Sequence, residues 1–221
     1  MRSVALIGAD GAGKSTIARE LVGSLRVPSR YLYMGTNPDS TTRMLPTTRL
    51  ARAITRSRRG PSERARSGAI STAPDHVRQS PVRDAYRAAR TLAWLAEEWY
   101  RAATALAWTR LGFVVVFDRH FLYESWPGDG GATRGASRLE RARRQFLRRF
   151  YPRPDLVICL DAPAELLHER KREQSVETLE RVRREYLALA DVGPEFVVVD
   201  AAQPLASVLA EVRAVVEARL S

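Results

Sequence analysis

The sequence predicts an α/β domain of three layers, a parallel sheet of five strands with helices on both faces. Three observations predict it. Five short runs are apolar along their length rather than alternating, as strands buried on both faces of a parallel sheet must be. Stretches with helical spacing separate most of them. A glycine-rich loop joins the first run to the first helical stretch. At 221 residues, a single domain over 1–221 with one sizeable core is expected.

The elements follow in order. The first strand is "SVALIG" (3–8), and residues 14–26 after the loop carry a helix. The second strand is "RYLYMG" (30–35). Residues 36–82 then break the rhythm with Thr, Ser, Pro and Arg. They read as a mobile arginine-rich insertion with one short helix at about 47–59. So long a stretch inside a compact domain points to disorder or a functional lid. Residues 82–110 set Tyr86, Ala89, Leu92, Ala96, Trp99, Ala103 and Leu106 near helical spacing. The third strand is "GFVVVFD" (112–118), and a helix is expected at 137–150. "DLVICLD" (155–161) is the fourth strand. A helical stretch at 163–190, broken near Gln174–Ser175, follows it. "EFVVVD" (195–200) and a helix over 204–220 complete the chain.

The formal charge is +11, and nearly all of the basic residues are arginine. That balance suits a nucleic-acid or membrane partner, an anionic small substrate, or simply solvated arginine faces. Lysine occurs only as Lys14 and Lys171. The single cysteine, Cys159, lies in an apolar run and reads as a buried strand residue. No apolar run approaches the ~18 residues of a membrane span, and the N-terminus has no signal pattern. A soluble cytoplasmic protein is the expectation.

Gly8 to Ser15 fit the phosphate-loop pattern G-x-x-x-x-G-K-[ST], in its required place between a strand and a helix. Gly8, Gly11, Ala12 and Gly13 let backbone N–H groups curl around phosphate oxygens. Lys14 then reaches the outer phosphates, Ser15 ligates Mg²⁺, and Thr16 opens a helix whose dipole favours anions. Asp10 is the unusual member. A carboxylate beside triphosphate costs roughly 4 kcal/mol per close charge pair, so Asp10 is expected to face a second substrate with hydroxyls. A turn-forming Asp bonded to its own backbone is the plainer alternative.

The third strand ends in "FVVVFDRH". Asp118, at the carboxyl end of a strand beside the loop, is placed to organise Mg²⁺ and its water. Arg119 suits an enzyme that holds a second phosphate, because guanidinium bonds phosphate as a fork. A structural ion pair is the alternative for it.

Taken in order, these pieces resemble the thymidylate kinase family. "GADGAGKST" resembles its phosphate loop, and "DRH" its Asp-Arg-aromatic/His motif. "PDLVICLDAPAELLHERKRE" resembles its fourth strand and the arginine-bearing start of its lid. "RVRREYLALA" and "VVVDAAQPLASVLAEV" resemble its later helices and last strand. The resemblance implies the P-loop fold with a parallel five-stranded sheet, ATP with Mg²⁺ as donor, and a nucleoside monophosphate, dTMP, as acceptor. It implies that Lys14 and Ser15 hold the donor phosphates and Mg²⁺. Asp10 would face the acceptor sugar, Asp118 would organise the metal, and Arg119 would grip the acceptor phosphate. Arg170 and Arg172 would be arginines of a short ATP lid at about 170–180, and Ala201 would lie along the adenine. A homodimer is compatible with this reading.

The departures lie on the acceptor side. The family's Arg-Glu-Pro-Gly-Gly-Thr segment is replaced by "YLYMGTNPDS", and Tyr123 stands where the family has a Ser. Glu97 and Trp99 stand where the family has an arginine for the acceptor phosphate and a base-reading Gln or Asn. They read either as a solvated face, with Arg101 as ion partner, or as an acidic and aromatic wall for a different acceptor. His120 is a further acceptor candidate, and Arg43, Arg49, Arg83 and Arg90 are candidate replacement phosphate ligands. The first rival is therefore a kinase of the same fold acting on a sugar or metabolite hydroxyl. A nucleic-acid-binding P-loop ATPase is the rival from another class, motivated by the charge and the arginine-rich 43–90 stretch. No DNA-reading motif is present and aromatics do not interleave the basic run, which weighs against a nucleic-acid partner.

Overall fold

The computed structural model describes residues 1–34, 96–97, 99–120, 151–191 and 195–220. The arginine-rich insertion, the helices expected at 47–59 and 137–150, Tyr123, and Arg43, Arg49, Arg83 and Arg90 lie outside the described residues. The chain divides into two compact units, Met1–Ser40 with Ala102–Ser221, and Thr41–Arg101. In the second unit, residues 96–97 and 99–101 are described and all are helical.

The first unit is a parallel five-stranded sheet with helices on its faces. In chain order it contains β1 (Ser3–Ile7), α1 (Lys14–Ser24), β2 (Ser29–Tyr33), α2 (102–110) and β3 (Val114–Asp118). β4 (Leu156–Asp161), α3 (Ala164–Arg170), α4 (Val176–Leu187), β5 (Glu195–Asp200) and α5 (Leu205–Glu217) follow. A 3₁₀ turn, Ala188–Asp191, links α4 to β5. The strand order is β2-β3-β1-β4-β5, and every pairing is parallel.

Period two decides what each strand face covers. Val4 and Leu6 of β1, with Leu156, Ile158 and Leu160 of β4, pack against Ile17 and Leu21 of α1 and Val208, Val212 and Val216 of α5. Ile7, Val157 and Cys159 point the other way, towards Tyr186 and Leu189. Burial there pushes the Cys159 thiol up to about 12, so it is an inert apolar residue.

β1, β3 and β4 are buried for nearly all of their length, as a two-sided parallel sheet demands. β2 and β5 depart from that expectation. Among the described residues they are the edge strands, paired to β3 and to β4; Arg30 of β2 and Glu195 and Val198 of β5 are exposed. The break expected near Gln174–Ser175 is real: α3 ends at Arg170, and α4 begins at Val176 with the Ser175 side chain accepting from the Thr178 N–H. No helix among the described residues is long and apolar enough to cross a membrane.

Candidate active site

The strand order positions the site. The chain leaves β1 towards β3 and β2, then crosses to β4 and β5 on the other side. The carboxyl end of β1 is therefore the topological switch point, where ligands bind in open α/β sheets. The glycine-rich loop stands there. A Cβ on Gly8 would run into the carbonyl oxygen of Leu160, and one on Gly11 into that of Leu167. The loop can thus be seated against β4 and α3 only by glycine. Gly13, at φ 83°, opens α1, whose first turn has no side-chain cap. Uncapped N–H groups at a helix start leave donors and a positive dipole end for an anion.

Lys14 is buried, and its ammonium donates to the Ala9 carbonyl oxygen at 2.7 Å. It also lies 3.8 Å from the Asp10 carboxylate. Asp10 Oδ1 accepts from Arg119 Nη2 at 2.9 Å. Burial works to raise the Asp10 carboxyl, but Lys14, Arg119 and Lys171 together outweigh it and hold it below its ordinary 3.8. Asp10 is ionised at neutral pH, and its charge lies in a basic ring. Arg119 adopts φ 69°, in the left-handed region that residues other than glycine rarely enter. Strain of this sort, on the order of 1–3 kcal/mol, concentrates at functional sites.

Asp118 is fully buried at the end of β3. Its Oδ2 accepts from the Tyr31 hydroxyl at 2.6 Å. Burial and this bond push the Tyr31 phenol far up, so it remains a proton donor. Asp118 Oδ1 has no hydrogen-bond partner among the described residues. A buried carboxylate oxygen left in this state costs about 1–3 kcal/mol unless a cation or bound water takes it.

The segment between α3 and α4 closes the other side. His168 Nδ1 bonds the Gln174 carbonyl oxygen at 2.8 Å, which folds residues 171–175 into a short turn. Gln174 Nε2 then reaches Asp10 Oδ2 at 3.4 Å. Arg170 Nη1 donates to the Ala201 carbonyl oxygen at 2.8 Å, which joins two residues the sequence assigned to the donor side. Arg172 is exposed on the turn. Arg183 of α4 grips Asp161 at the end of β4 with two bonds, of 2.6 and 2.9 Å. The Asp161 carbonyl in turn accepts from Ala201 N–H at 2.7 Å. The ends of β4 and β5 are so tied to both helices.

Gly8, Asp10, Gly11, Gly13, Lys14, Ser15, Thr16, Asp118 and Arg119 therefore converge around the carboxyl ends of β1 and β3. His120 is placed differently. It is 1% exposed and packs edge-on against Phe117 and Tyr151, with ring centroids 5.2 and 5.6 Å away. Desolvation lowers its pKa to about 3, against a smaller raising effect from the Pro152 backbone, so it is neutral. Glu97 and Trp99 belong to the second unit. Sequence reading missed Tyr31, Gln174, His168 and the Arg183–Asp161 pair. Tyr31 carries no signal beyond strand alternation, and the others meet only once the turn is folded.

Comparison with known proteins agrees with this assembly. No protein-family model matches the chain. Over 121 residues it is 34% identical to a probable thymidylate kinase of Archaeoglobus fulgidus, covering 50% of this chain and 56% of that protein. Over 118 residues it is 29% identical to a thymidylate kinase of Thermosipho africanus, covering 49% and 57%. The chain thus spans about half the length of the curated relatives it matches. With the glycine loop and the Asp-Arg pair set on one parallel sheet, the chain is thymidylate kinase-like.

Proposed function

We propose that this chain is an ATP- and Mg²⁺-dependent kinase that passes the γ-phosphoryl group to a small acceptor, dTMP by similarity to its relatives. One observation carries the reading. The Asp10–Arg119 ion pair couples the loop that holds Lys14 to the end of β3, so donor and acceptor groups share one crevice. Positioning and charge neutralisation are what phosphoryl transfer needs.

The residues suit the donor. Gly8 to Thr16 supply backbone donors, and Lys14 is held rigidly where outer phosphates would lie. Ser15, in the first turn of α1, and Asp118, with an oxygen to spare, fit a hydrated Mg²⁺. Bound there, Mg²⁺ would supply charge neutralisation on the transferring group. Arg170 and Ala201 mark the base end of the donor, and Arg172 stands on the turn that would close over it. On the acceptor side Arg119 offers a planar fork to a phosphate, and Asp10 accepts from a sugar hydroxyl.

A second reading keeps the same chemistry with a non-dTMP acceptor. It is favoured by "YLYMGTNPDS", which lacks the family's acceptor segment, and by Glu97 and Trp99. A coupled ADP-release assay with dTMP and a panel of sugars and metabolites separates the two. Turnover with dTMP supports the first reading, and turnover with another acceptor supports the second. ATP hydrolysis that no acceptor stimulates would overturn both.

A further inference from the structure

The sequence places arginine almost everywhere, and only the fold sorts it. On α4 and α5, arginines are matched to acids. Arg181 pairs with Glu185 at 3.2 Å, Arg184 with Glu180 at 3.5 Å and Arg213 with Glu217 at 3.0 Å. Arg183 pairs with Asp161, and Arg219 with Glu195. The amino edge of the sheet, opposite the phosphate loop, differs. Arg26 and Arg30 stand at the start of β2, Arg110 at the turn into β3, Arg2 before β1 and Arg153 before β4. All five are exposed, and none has an ion pair with a carboxylate among the described residues.

The strand order β2-β3-β1-β4 sets these five side by side. Strands lie about 4.8 Å apart, so four of them span about 14 Å. The contacts along the edge agree. The Arg2 guanidinium donates to the Thr109 carbonyl oxygen at 3.0 Å, Val115 N–H to the Arg2 carbonyl and Val114 N–H to the Pro28 carbonyl. Arg30 lies over the Phe113 ring, 4.6 Å from its centroid, which holds that guanidinium in place. One carboxylate interrupts the row. Asp155 Oδ2 is already taken up by the Arg2 and Ser3 N–H groups and the Ser3 hydroxyl.

We propose that this amino edge is a docking surface for the phosphate backbone of a nucleic acid. A line of unpaired guanidiniums matches a line of phosphates, each of which accepts a forked pair of hydrogen bonds. A membrane would want a plane of cations with apolar side chains to insert. Here the array is one-dimensional, with Leu106 and Leu111 as its large exposed apolar neighbours among the described residues. Binding is set by charge and is independent of sequence, since among the described residues the one aromatic ring of the row, Phe113, is covered by Arg30 and no base-reading amide or carboxylate stands free beside it. The surface stands whether or not the kinase reading holds.

The test is fluorescence anisotropy of the full chain with a labelled 20-base-pair duplex, titrated at rising salt. Two triple variants are compared, each removing three positive charges. Arg26→Ala/Arg110→Ala/Arg153→Ala strips the row, and Arg181→Ala/Arg184→Ala/Arg213→Ala strips paired helix arginines. The row variant is expected to bind at least ~10-fold more weakly at low salt and to reduce the salt slope by about 2–3. The helix variant is expected to stay within about threefold of wild type. Circular dichroism verifies both folds, and the single variants Arg26→Ala and Arg153→Ala, each lowering the slope by about 1, serve if the triple does not fold. Equal losses in the two triples, no binding to the duplex at low salt, or tighter binding to phosphatidylserine vesicles than to DNA would overturn the proposal.

Discussion

The two edges of the sheet use arginine in opposite ways. At the carboxyl edge, Arg119 and Arg183 are tied to Asp10 and Asp161, their forks fixed by carboxylates. At the amino edge, five arginines stand exposed without such partners among the described residues. A carboxylate holds a guanidinium in one geometry. An unpaired guanidinium keeps its charge for a partner outside the fold. The same compositional signal, a charge of +11, thus carries two meanings, and only topology separates them.

If the proposed function holds, Lys14→Ala is expected to lower kcat by roughly 10²–10³ or more in the coupled assay, since it removes the buried cation that would meet the outer phosphates. Arg119→Ala should follow, with a loss of roughly 10²-fold. Arg119→Lys should recover only part of it, because a point charge does not replace a fork. Equal activity of the Lys and Ala variants would show that charge alone matters there. Arg119→Ala should also leave Asp10 less firmly ionised, detectable as an upward shift of its carboxyl resonance titration.

Two further substitutions carry smaller effects. Tyr31→Phe removes the bond to Asp118 Oδ2 and leaves a second carboxylate oxygen without a partner. A loss of about 1.5–3 kcal/mol in stability, read from urea unfolding, is expected. His120 supplies a pH dependence. Its folded pKa lies at about 3, below the ordinary 6.5, so the unfolded chain takes up a proton that the folded chain refuses. That penalty is absent above pH 6.5 and grows as pH falls towards 3, by about 1.4 kcal/mol per unit. Between pH 6.5 and 5.0 wild type should lose ~2 kcal/mol that His120→Phe does not lose. Parallel pH profiles for the two would contradict its neutral burial. At the small end, the Arg26, Arg110 and Arg153 triple variant should leave ADP release unchanged, because that edge is remote from the loop.

Much of the fold was legible because its cause is local. β1, β3 and β4 are apolar runs buried on both faces, and the phosphate loop announces itself by its spacing. β5 was legible as a strand but not as an edge, since Glu195 and Val198 become exposed only through the strand order. In the site, Lys14, Asp118 and Arg119 were readable from two motifs. Tyr31 was not, because its partnership with Asp118 depends on the parallel register that sets Tyr31 opposite Val116 and Tyr33 opposite Asp118. Gln174 reaches Asp10 across 164 positions of sequence, by a weak bond that no pattern encodes.

Phosphoryl transfer from the loop at β1 to an acceptor held by Arg119 and Asp10 is put to the test by steady-state ADP release from the wild-type chain with ATP, Mg²⁺ and dTMP, run beside Lys14→Ala. Stimulation of ADP release by dTMP, with dTDP as product and its loss in Lys14→Ala, is the predicted result. ATP turnover that is absent, or that is equal in wild type and Lys14→Ala, would contradict it.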